Sequence, residues 1–459
     1  MTVAVRPSHR ARSGRAAVAV EALRLSNWLS RTLGRGSGTV AGGRVGLALD
    51  PGLLVDLTRD RKVALVSGTN GKTTTTALMV AALTGDDGRS VATNVTGANM
   101  PAGHAAALAG APAGDDAVLE VDEGYLGRLV QETRPRVVVL LNLSRDQLDR
   151  IAEVRMLADR WRVALSPAIG AGATGRGPVV VANADDPLVV WAAGTAPDVV
   201  WVGAGQVWHK DAVGCPACGG VIGFGPGGGW ACERCDFARP TRHAWLEGTG
   251  TDGTELVTAG DGRHRIDLRL PGWFNAANAA MVAVAAPLMG DTEDDGGGRG
   301  AAVSPAAALA RMAAVREVAG RFASAERHGR PLRLLLAKNP AGWTAIFDLL
   351  DEGGPPVAPT VLSVNARTAD GLDTSWLWDV PFERLAGRVV VATGDRRHDL
   401  AVRLRYAEVP CSVVADPVEA VDRCLLAPGD GDRSGAGEKT GRIDVLANYT
   451  AFAELRCRL

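Results

Sequence analysis

A glycine-rich segment at 68–76 carries the residue types that bind nucleotide phosphates. It reads Gly-Thr-Asn-Gly-Lys-Thr-Thr-Thr-Thr and directly follows the apolar run at 63–66. A strand that turns through glycines into a helix points backbone N–H groups and the helix N-terminus at one place, which suits phosphate. In such a loop the lysine reaches the outer phosphates, and the next hydroxyl can hold Mg²⁺. The residues expected to do this are Gly68, Thr69, Asn70, Gly71, Lys72, Thr73 and Thr74.

Four cysteines form a second group, with the spacing of a metal site. Cys215 and Cys218 make one C-x₂-C pair, and Cys232 and Cys235 make another after thirteen intervening residues. Two such tight turns place four thiolates around one tetrahedral Zn²⁺, and a closed site of this kind leaves no position for a substrate. The spacing therefore predicts a structural zinc ribbon over residues 205–240, not a disulfide framework.

Alternating strands and helices must position these groups. After residue 60, short apolar runs alternate with helix-like stretches, and the runs lie at 63–66, 90–93, 117–121, 137–141, 179–182 and 199–202. This alternation predicts an α/β fold with a parallel sheet covered on both faces, and ligands bind such sheets at the carboxyl ends of the strands. A second alternating region predicts a smaller C-terminal α/β domain. The expected divisions are a disordered basic arm at 1–15, a domain at 16–325 that contains the phosphate-binding loop and a C-terminal domain at 326–459.

The N-terminal region and the overall charge limit the classes of partner. After the arginine-rich arm, apolar residues at helical spacing predict an amphipathic helix, with Val18, Leu23, Leu25, Trp28 and Leu29. No run approaches the roughly 18 apolar residues of a membrane span, so we expect a cytoplasmic protein. The arm is expected to be solvated, with transient contact to an anionic membrane surface as the alternative. A net charge of −1 argues against non-specific nucleic-acid binding.

The phosphate-binding segment and a later Asn-containing segment together resemble the Mur ligase family. The later segment, at 270–280, reads Leu-Pro-Gly-Trp-Phe-Asn-Ala-Ala-Asn-Ala-Ala. Val66 stands where the standard nucleotide-binding loop has its first glycine, which gives the short loop form of this family. The resemblance implies that the loop binds ATP and that Glu120 joins Thr73 in holding Mg²⁺. It also implies nucleotide contacts from Asn183, Asp185, Asn275 and Asn278.

Two positions depart from the family pattern. Gln147 stands where the family has a metal-binding His in the segment at 142–149, so the number of Mg²⁺ ions stays open. Phe274 replaces the usual His before the first Asn of the 270–280 segment.

Two C-terminal segments narrow the resemblance to one branch of the family. Residues 336–343 read Leu-Ala-Lys-Asn-Pro-Ala-Gly-Trp, and residues 365–379 read Asn-Ala-Arg-Thr-Ala-Asp-Gly-Leu-Asp-Thr-Ser-Trp-Leu-Trp-Asp. With the inserted cysteine ribbon and the short N-terminus, they resemble the MurT branch, the ligase subunits of lipid II isoglutaminyl synthases.

The MurT resemblance implies a reaction and a partner. The reaction is ATP-dependent amidation of the α-carboxylate of D-glutamate in the lipid II stem peptide, through an acyl phosphate in whose formation Lys72 takes part, at the inner face of the plasma membrane. Ammonia comes from a GatD-type glutamine amidotransferase subunit. Asp370 or Asp373, with Asp370 preferred, is implied to complete the Cys–His pair of that partner. None of the seven cysteines lies in a Gly-x-Cys-x-Gly elbow, so the glutaminase nucleophile must come from elsewhere.

The sequence leaves two alternative functions open. The first is an amino-acid-adding ligase of the Mur or folylpolyglutamate type, which the cysteine insertion and the C-terminal segments oppose. The second is a non-enzymatic zinc-ribbon protein that binds nucleic acid or another partner.

Overall fold

The structure is a computed structural model. It describes residues 14–33, 39–85, 90–94, 98–112, 114–145, 154–167, 177–205, 208–248, 253–260, 262–290, 302–316, 322–351, 358–426 and 441–459.

The strands are β1 (Val63–Ser67), β2 (Val91–Thr93), β3 (Asp116–Glu120), β4 (Val137–Leu140), β5 (Val179–Asn183), β6 (Val199–Gly203), β7 (Ile222–Phe224), β8 (Trp230–Cys232), β9 (Ala244–Glu247), β10 (Thr254–Thr258), β11 (Gly262–Ile266), β12 (Phe322–Arg327), β13 (Arg330–Leu336), β14 (Thr360–Ser363), β15 (Val390–Thr393), β16 (Cys411–Val413) and β17 (Ile443–Ala447). The α-helices are α1 (Gly14–Thr32), α2 (Thr39–Leu49), α3 (Leu53–Thr58), α4 (Lys72–Leu83), α5 (Pro101–Gly110), α6 (Leu126–Thr133), α7 (Val154–Ala164), α8 (Pro187–Ala193), α9 (Trp273–Ala285), α10 (Pro305–Met312), α11 (Pro340–Asp351), α12 (Arg397–Tyr406), α13 (Pro417–Leu426) and α14 (Tyr449–Arg458).

A nine-stranded sheet occupies the first two thirds of the chain, in the order β11-β10-β9-β6-β5-β4-β1-β3-β2. The strands from β2 to β9 in this order run parallel, and β10 and β11 extend the edge antiparallel. Every residue of β1 and β4 is buried, because helices cover both faces and the side chains on either side of the strand meet apolar partners.

A six-stranded sheet forms the C-terminal part, in the order β12-β13-β17-β14-β15-β16. β12 pairs antiparallel with β13, and the other neighbours are parallel. One face packs on Trp343, Phe347 and Phe382, and the other packs on Val421 and Phe452. The prediction of an α/β fold with a smaller C-terminal α/β part is therefore confirmed.

The two faces of the first sheet have separate apolar cores. Leu65 and Leu119 point into a core that also contains residues of α1, α3 and α5 to α8. Ala64 and Val66 point into the opposite core, with Leu78 of α4 and residues of α9 and α10. Since side chains alternate along a strand, this two-sided burial fixes the register and places the carboxyl ends of β1, β3, β4 and β5 at one edge.

The N-terminal helix packs differently from the sequence-based prediction. α1 buries Ala16, Ala19, Val20 and Leu23, whereas four of the five residues predicted to form its apolar face are exposed, namely Val18, Leu25, Trp28 and Leu29. Small residues allow the close approach: a Cβ added at Gly46 of α2 would lie 3.0 Å from Leu23 Cδ1. The helix begins at Gly14, inside the predicted arm, and residues 1–13 lie outside the described residues.

The expected start of the C-terminal domain at residue 326 falls inside β12. Because β12 pairs with β13 along its whole length and α10 packs in the core of the first sheet, we propose that the boundary lies between Met312 and Phe322. Among the described residues, no helix is long and apolar enough to span a bilayer.

The variant Leu119→Ala tests the packing of the apolar core beneath the site. The Leu119 side chain is fully buried one residue before the end of β3, so Leu119→Ala should lower the free energy of unfolding by about 3 kcal/mol through lost burial and the cavity left behind. Chemical denaturation monitored by circular dichroism measures this. The exposed Val402→Ala is the control and should change stability by less than about 0.5 kcal/mol. Equal stabilities of the two variants would contradict the packing described here.

Candidate active site and metal centre

The glycine-rich loop connects β1 to α4, as the sequence predicts for a phosphate-binding loop. Gly68 and Gly71 have φ values of 147° and 88°, which are conformations that side chains disfavour. A Cβ at Gly71 would lie 2.7 Å from Asn278 Oδ1, and one at Gly68 would lie 2.8 Å from Leu141 Cβ. Only glycine fits at either position. The loop thus brings bare backbone to the N-terminus of α4, the arrangement that receives phosphate oxygens.

The segment after β4 holds this loop in place. Thr69 N donates to Asn142 O at 2.9 Å, and Asn142 exchanges two side-chain hydrogen bonds with the Asn70 backbone at 2.9 and 3.0 Å. The Thr69 hydroxyl donates to Ser144 O and accepts from Ser144 N, both at 3.0 Å. Thr69 therefore positions the loop, and its hydroxyl is already fully engaged. The nearby 146–149 segment, which includes Gln147, lies outside the described residues.

Lys72 is the buried cation of the loop. Its side chain is 3% exposed, and Nζ donates to Gly68 O at 2.6 Å and lies 3.1 Å from Glu123 Oε2. The carboxylate offsets the cost of burying the charge. Thr73 follows in the first turn of α4 and is partly exposed, whereas Thr74 is buried.

Glu120 ends β3 beside the start of the loop, since its Cα is paired in register with that of Val66. Asn94 bonds both the N–H and the C=O of Glu120 at 2.9 Å, and His104 Nε2 lies 2.7 Å from the same C=O. Burial lowers the pKa of His104 to about 4, so its ring is neutral at pH 7 and donates this hydrogen bond. The backbone of Glu120 is thereby fixed, while Asn99 contacts its carboxylate at 3.4 Å.

The donor set near the loop fits Mg²⁺. The Thr73 hydroxyl and the Glu120 carboxylate are oxygen ligands of the kind that this hard cation prefers, and α4 begins at the same edge of the sheet at which β3 ends. These two residues would hold the ion.

The residues after β5 hold neighbouring segments together. Asn183 Nδ2 donates to Gly205 O at 3.2 Å, and Asp185 accepts from Gly205 N at 2.8 Å and pairs with Arg239 at 3.0 Å. Asp186 caps α8 and also accepts from Leu143 N at 2.8 Å, while burial raises its pKa to about 6. Asn183 lines the cavity described next, whereas Asp185 bonds to the neighbouring backbone and to Arg239 of the ribbon.

A cavity of about 170 Å³ lies between the two sheets, next to the loop. Six of the predicted ATP-binding residues line it, and they are Asn70, Gly71, Thr74, Asn183, Asn275 and Asn278. Trp273, Phe274 and Leu270 add apolar surface from the first domain, and α11 contributes Gly342 and Ile346 from the C-terminal part. An apolar slot with a few amide groups beside a phosphate loop suits a purine base.

The C-terminal part also contacts the loop itself. Asn339 Nδ2 donates to Asn70 Oδ1 at 3.1 Å, and Phe274 packs on the apolar core of the second sheet. The cavity therefore has walls from both parts of the chain.

Asp370 and Asp373 are not among the described residues that line the cavity. Asp370 is 5% exposed, and its carboxylate accepts from Thr450 N at 2.8 Å, from the Thr450 hydroxyl and from Arg367 N at 3.3 Å. Asp373 is exposed and accepts from Ser375 N at 2.8 Å, a hydrogen bond that lowers the pKa of its carboxyl. Of the two, Asp373 presents its charge to solvent.

The four cysteines converge as their spacing predicts. Cys215 and Cys235 have sulfurs 3.8 Å apart, Cys218 and Cys232 have sulfurs 3.5 Å apart, and all four sulfurs lie within 4.8 Å of one another. Four thiolates at about 2.3 Å from Zn²⁺ in a tetrahedron are separated by roughly 3.8 Å, so the cluster fits this ion. Both distances are too long for a disulfide.

The ribbon of β7 and β8 packs on the end of β5. Trp230 Nε1 donates to Ala184 O at 3.0 Å, Phe237 packs edge-on against Trp191 with ring centroids 6.0 Å apart, and Arg239 bridges Asp185 and Gly227 O. The cysteine ribbon therefore supports the segment that contains Asn183.

Sequence reasoning missed several residues that position the site. Asn94 follows a strand end, so its place at the carboxyl edge was a usable signal. His104 lies in the middle of α5, and Arg239 lies beyond the last ribbon cysteine, where no pattern marks either of them.

Two family descriptions match the chain. The Mur ligase middle domain matches residues 66–212, and the MurT ligase C-terminal domain matches residues 336–452. The chain is also 30% identical to the lipid II isoglutaminyl synthase (glutamine-hydrolyzing) subunit MurT of Streptococcus pneumoniae, over 94% of each chain.

This chain is a member of the MurT family. A second MurT subunit, from Staphylococcus aureus, is 28% identical over 95% of this chain and 96% of its own. The Mur ligase-type fold predicted from the sequence is likewise confirmed for this MurT family member. MurF from Acinetobacter baumannii superposes with a TM-score of 0.61 at 15% identity, covering 90% of this chain and 79% of MurF.

A folylpolyglutamate synthase from Mycobacterium tuberculosis, described in complex with ADP and AMPPCP, superposes with a TM-score of 0.58 at 18% identity, covering 97% and 95% of the two chains. At these identities, both structures show only that this chain shares their fold.

The zinc ligands give a direct test of the ribbon. Cys215→Ser should abolish stoichiometric zinc and lower the melting temperature by at least about 4 °C, because the metal site that joins the two C-x₂-C turns would lose one of its four ligands. Metal analysis and calorimetry measure both effects. Cys457→Ser, an exposed cysteine in α14, is the matched control and should retain metal and stability. Native protein without zinc would refute the site.

Proposed function

We propose that this chain is the ligase subunit of a lipid II isoglutaminyl synthase. It would activate the α-carboxylate of D-glutamate in the stem peptide with ATP and amidate it with ammonia. The observation that carries this proposal is the 30% identity, over 94% of each chain, to a protein of that name. The phosphate loop, the cavity and the strand-end carboxylate supply the parts that such a reaction needs.

In this proposal the loop residues bind the nucleotide. The N–H groups at the start of α4 and the ammonium of Lys72 face the phosphates, and Lys72 balances charge that develops as the terminal phosphoryl group moves to the substrate carboxylate. Glu120 and Thr73 hold Mg²⁺, which neutralises phosphate charge when bound. Asn183, Asn275 and Asn278 line the slot for the base and ribose.

The two-step chemistry requires exclusion of water, because an acyl phosphate that meets water is hydrolysed before ammonia arrives. The apolar walls of the cavity come from both sheets, so Trp273 and Phe274 on one side and Ile346 on the other keep solvent out when the two parts are together. Zn²⁺ in the cysteine cluster is proposed to be structural, since four thiolates complete its coordination.

The partner is proposed to be a GatD-type glutamine amidotransferase, which would hydrolyse glutamine to release ammonia. Its Cys–His pair needs a third group to orient the imidazole. Exposure supports Asp373 for this role, because a partner subunit can reach its carboxylate from solvent. This revises the preference for Asp370, whose carboxylate is buried and anchors the turn to Thr450. With a lipid-linked substrate and ATP, the reaction is proposed to take place at the cytoplasmic face of the membrane.

Lys72→Ala tests the ligase function. The variant should lower ATP-dependent amidation by at least about a hundredfold, because a preorganised cation next to the transferred phosphoryl group is lost. Lipid II, ATP and an ammonium salt are the substrates, with phosphate release and a mass shift of the product as readouts. Using ammonium salt removes any dependence on the partner.

Lys62→Ala is the control, since Lys62 precedes β1 at its opposite end and should retain activity. Wild-type protein that consumes ATP with free glutamate but not with ammonia would instead indicate an amino-acid-adding ligase.

Asp373→Asn separates the two halves of the reaction. In the complex with its amidotransferase, this variant should reduce glutamine hydrolysis by at least about a hundredfold, because the partner's imidazole loses its orienting carboxylate. Amidation with ammonium salt should remain. Asp370→Asn should instead lower the melting temperature, since it weakens the bonds to Thr450. Unchanged glutaminase activity in Asp373→Asn would exclude the role.

A further inference from the structure

The exposed side of α1 carries large apolar residues that no described part of the chain covers. Val18, Leu25, Trp28 and Leu29, together with Leu33 just after the helix, are between 44% and 66% exposed. Large exposed residues scattered singly are ordinary, but four of these follow one another along a single helix and the fifth comes directly after its end. We call them the α1 stripe.

The stripe lies opposite the face by which the helix is attached. With roughly 3.6 residues per turn, positions 18, 25, 29 and 33 fall on one side of α1, and the buried positions 16, 19, 20 and 23 fall on the other. Leu23 and Asn27 of α1 pack on Gly42 and Gly46 of α2, where an added Cβ would lie 2.1 Å from Asn27 Oδ1 and 3.0 Å from Leu23 Cδ1, respectively. The helix is therefore fixed to the domain, with the stripe turned outward.

Arginines border the stripe on both sides. Arg15 lies towards one border, and Arg24 and Arg31 lie towards the other, all exposed. Arg15 also donates to Leu49 O at 2.8 Å, Arg24 pairs with Glu21 at 2.9 Å and donates to Ala109 O, and Arg31 donates to Asn27 O at 3.3 Å. Their long stems can lie along an apolar surface while the guanidinium groups stay in a polar layer. A tryptophan at such a border also favours a membrane interface.

The charge of the whole N-terminal region has the same sign. Residues 1–49 contain eight arginines and one glutamate, hence a formal charge of +7, whereas the remaining residues carry −8 because the whole chain carries −1. An isolated positive region on an otherwise acidic protein is complementary to a negatively charged surface.

From this combination we propose that the α1 stripe docks the protein on an anionic lipid bilayer. The helix lies in the plane of the surface, with the stripe in the headgroup–acyl boundary and the net positive charge of the N-terminal region attracted to lipid phosphates. An anionic bilayer fits better than a protein partner, because it accepts an apolar ridge and a diffuse positive charge without a shaped groove. A surface position agrees with a lipid-linked substrate, but vesicle binding requires neither ATP nor a second subunit.

Vesicle co-sedimentation of the full chain tests the proposal. Phosphatidylcholine vesicles with phosphatidylglycerol should bind the wild type at least about tenfold better than phosphatidylcholine alone, and high salt should weaken the binding. Because the wild-type measurement needs no variant, failure of the folded protein to bind either vesicle overturns the proposal. Such a failure would not change the outcome of the amidation assay with Lys72→Ala and its control Lys62→Ala, so the two proposals can fail separately.

Variants then locate the surface. Leu25→Asp combined with Leu29→Asp should lower vesicle binding by at least about tenfold, and Arg31→Glu should lower it several-fold. Leu426→Asp and Arg405→Glu are the matched controls on exposed positions of the C-terminal part and should bind as the wild type does. Circular dichroism checks that each variant is folded, and Trp28→Ala replaces the double variant if that one is not.

Two results would assign the stripe to another occupant and overturn the proposal. One is a wild-type dimer in analytical ultracentrifugation that Leu25→Asp with Leu29→Asp splits, without vesicle binding. The other is vesicle binding that the double variant retains in full.

Discussion

The loop at 68–71 and the segment after β4 hold each other through mutual hydrogen bonds. Asn142 uses its side chain to bond both the N–H and the C=O of Asn70, and Thr69 and Ser144 exchange a further pair. These contacts exist only because β1 and β4 are adjacent, parallel and in register, so that both chains leave the sheet at the same level. The direction in which the loop N–H groups point therefore depends on strand order, beyond the glycines themselves.

The same edge of the sheet concentrates buried charge, and each charge has a partner. Lys72 faces Glu123, Asp185 faces Arg239, and Asp186 accepts three backbone N–H groups. Removing one member of such a pair leaves an uncompensated buried charge, which costs more than the pair contributes. The site is thus rigid at its base, and the ribbon belongs to that rigidity because Arg239 extends from it.

Much of this arrangement could be predicted from particular residues. Valine runs ending in Gly, Glu or Asn predicted the parallel sheet and the edge at which the site lies, and the two C-x₂-C pairs predicted the metal cluster. The α1 face could not be predicted, because period alone does not say which of two faces is buried. The face of α1 that is buried is the one that packs on Gly42 and Gly46, because these glycines admit a neighbouring helix where larger side chains would not. The roles of His104 and Arg239 could not be predicted for a similar reason, because these roles depend only on tertiary contacts.

The hydrogen bond from Asn339 to Asn70 has a kinetic consequence. Asn70 belongs to the phosphate loop and Asn339 to the C-terminal part, at the start of α11. Any motion that separated the two parts of the chain would have to break this bond, so such an opening would also release Asn70 of the loop. In the proposed ligase, release of spent nucleotide and admission of the next substrate would then be steps of one motion and not two independent events.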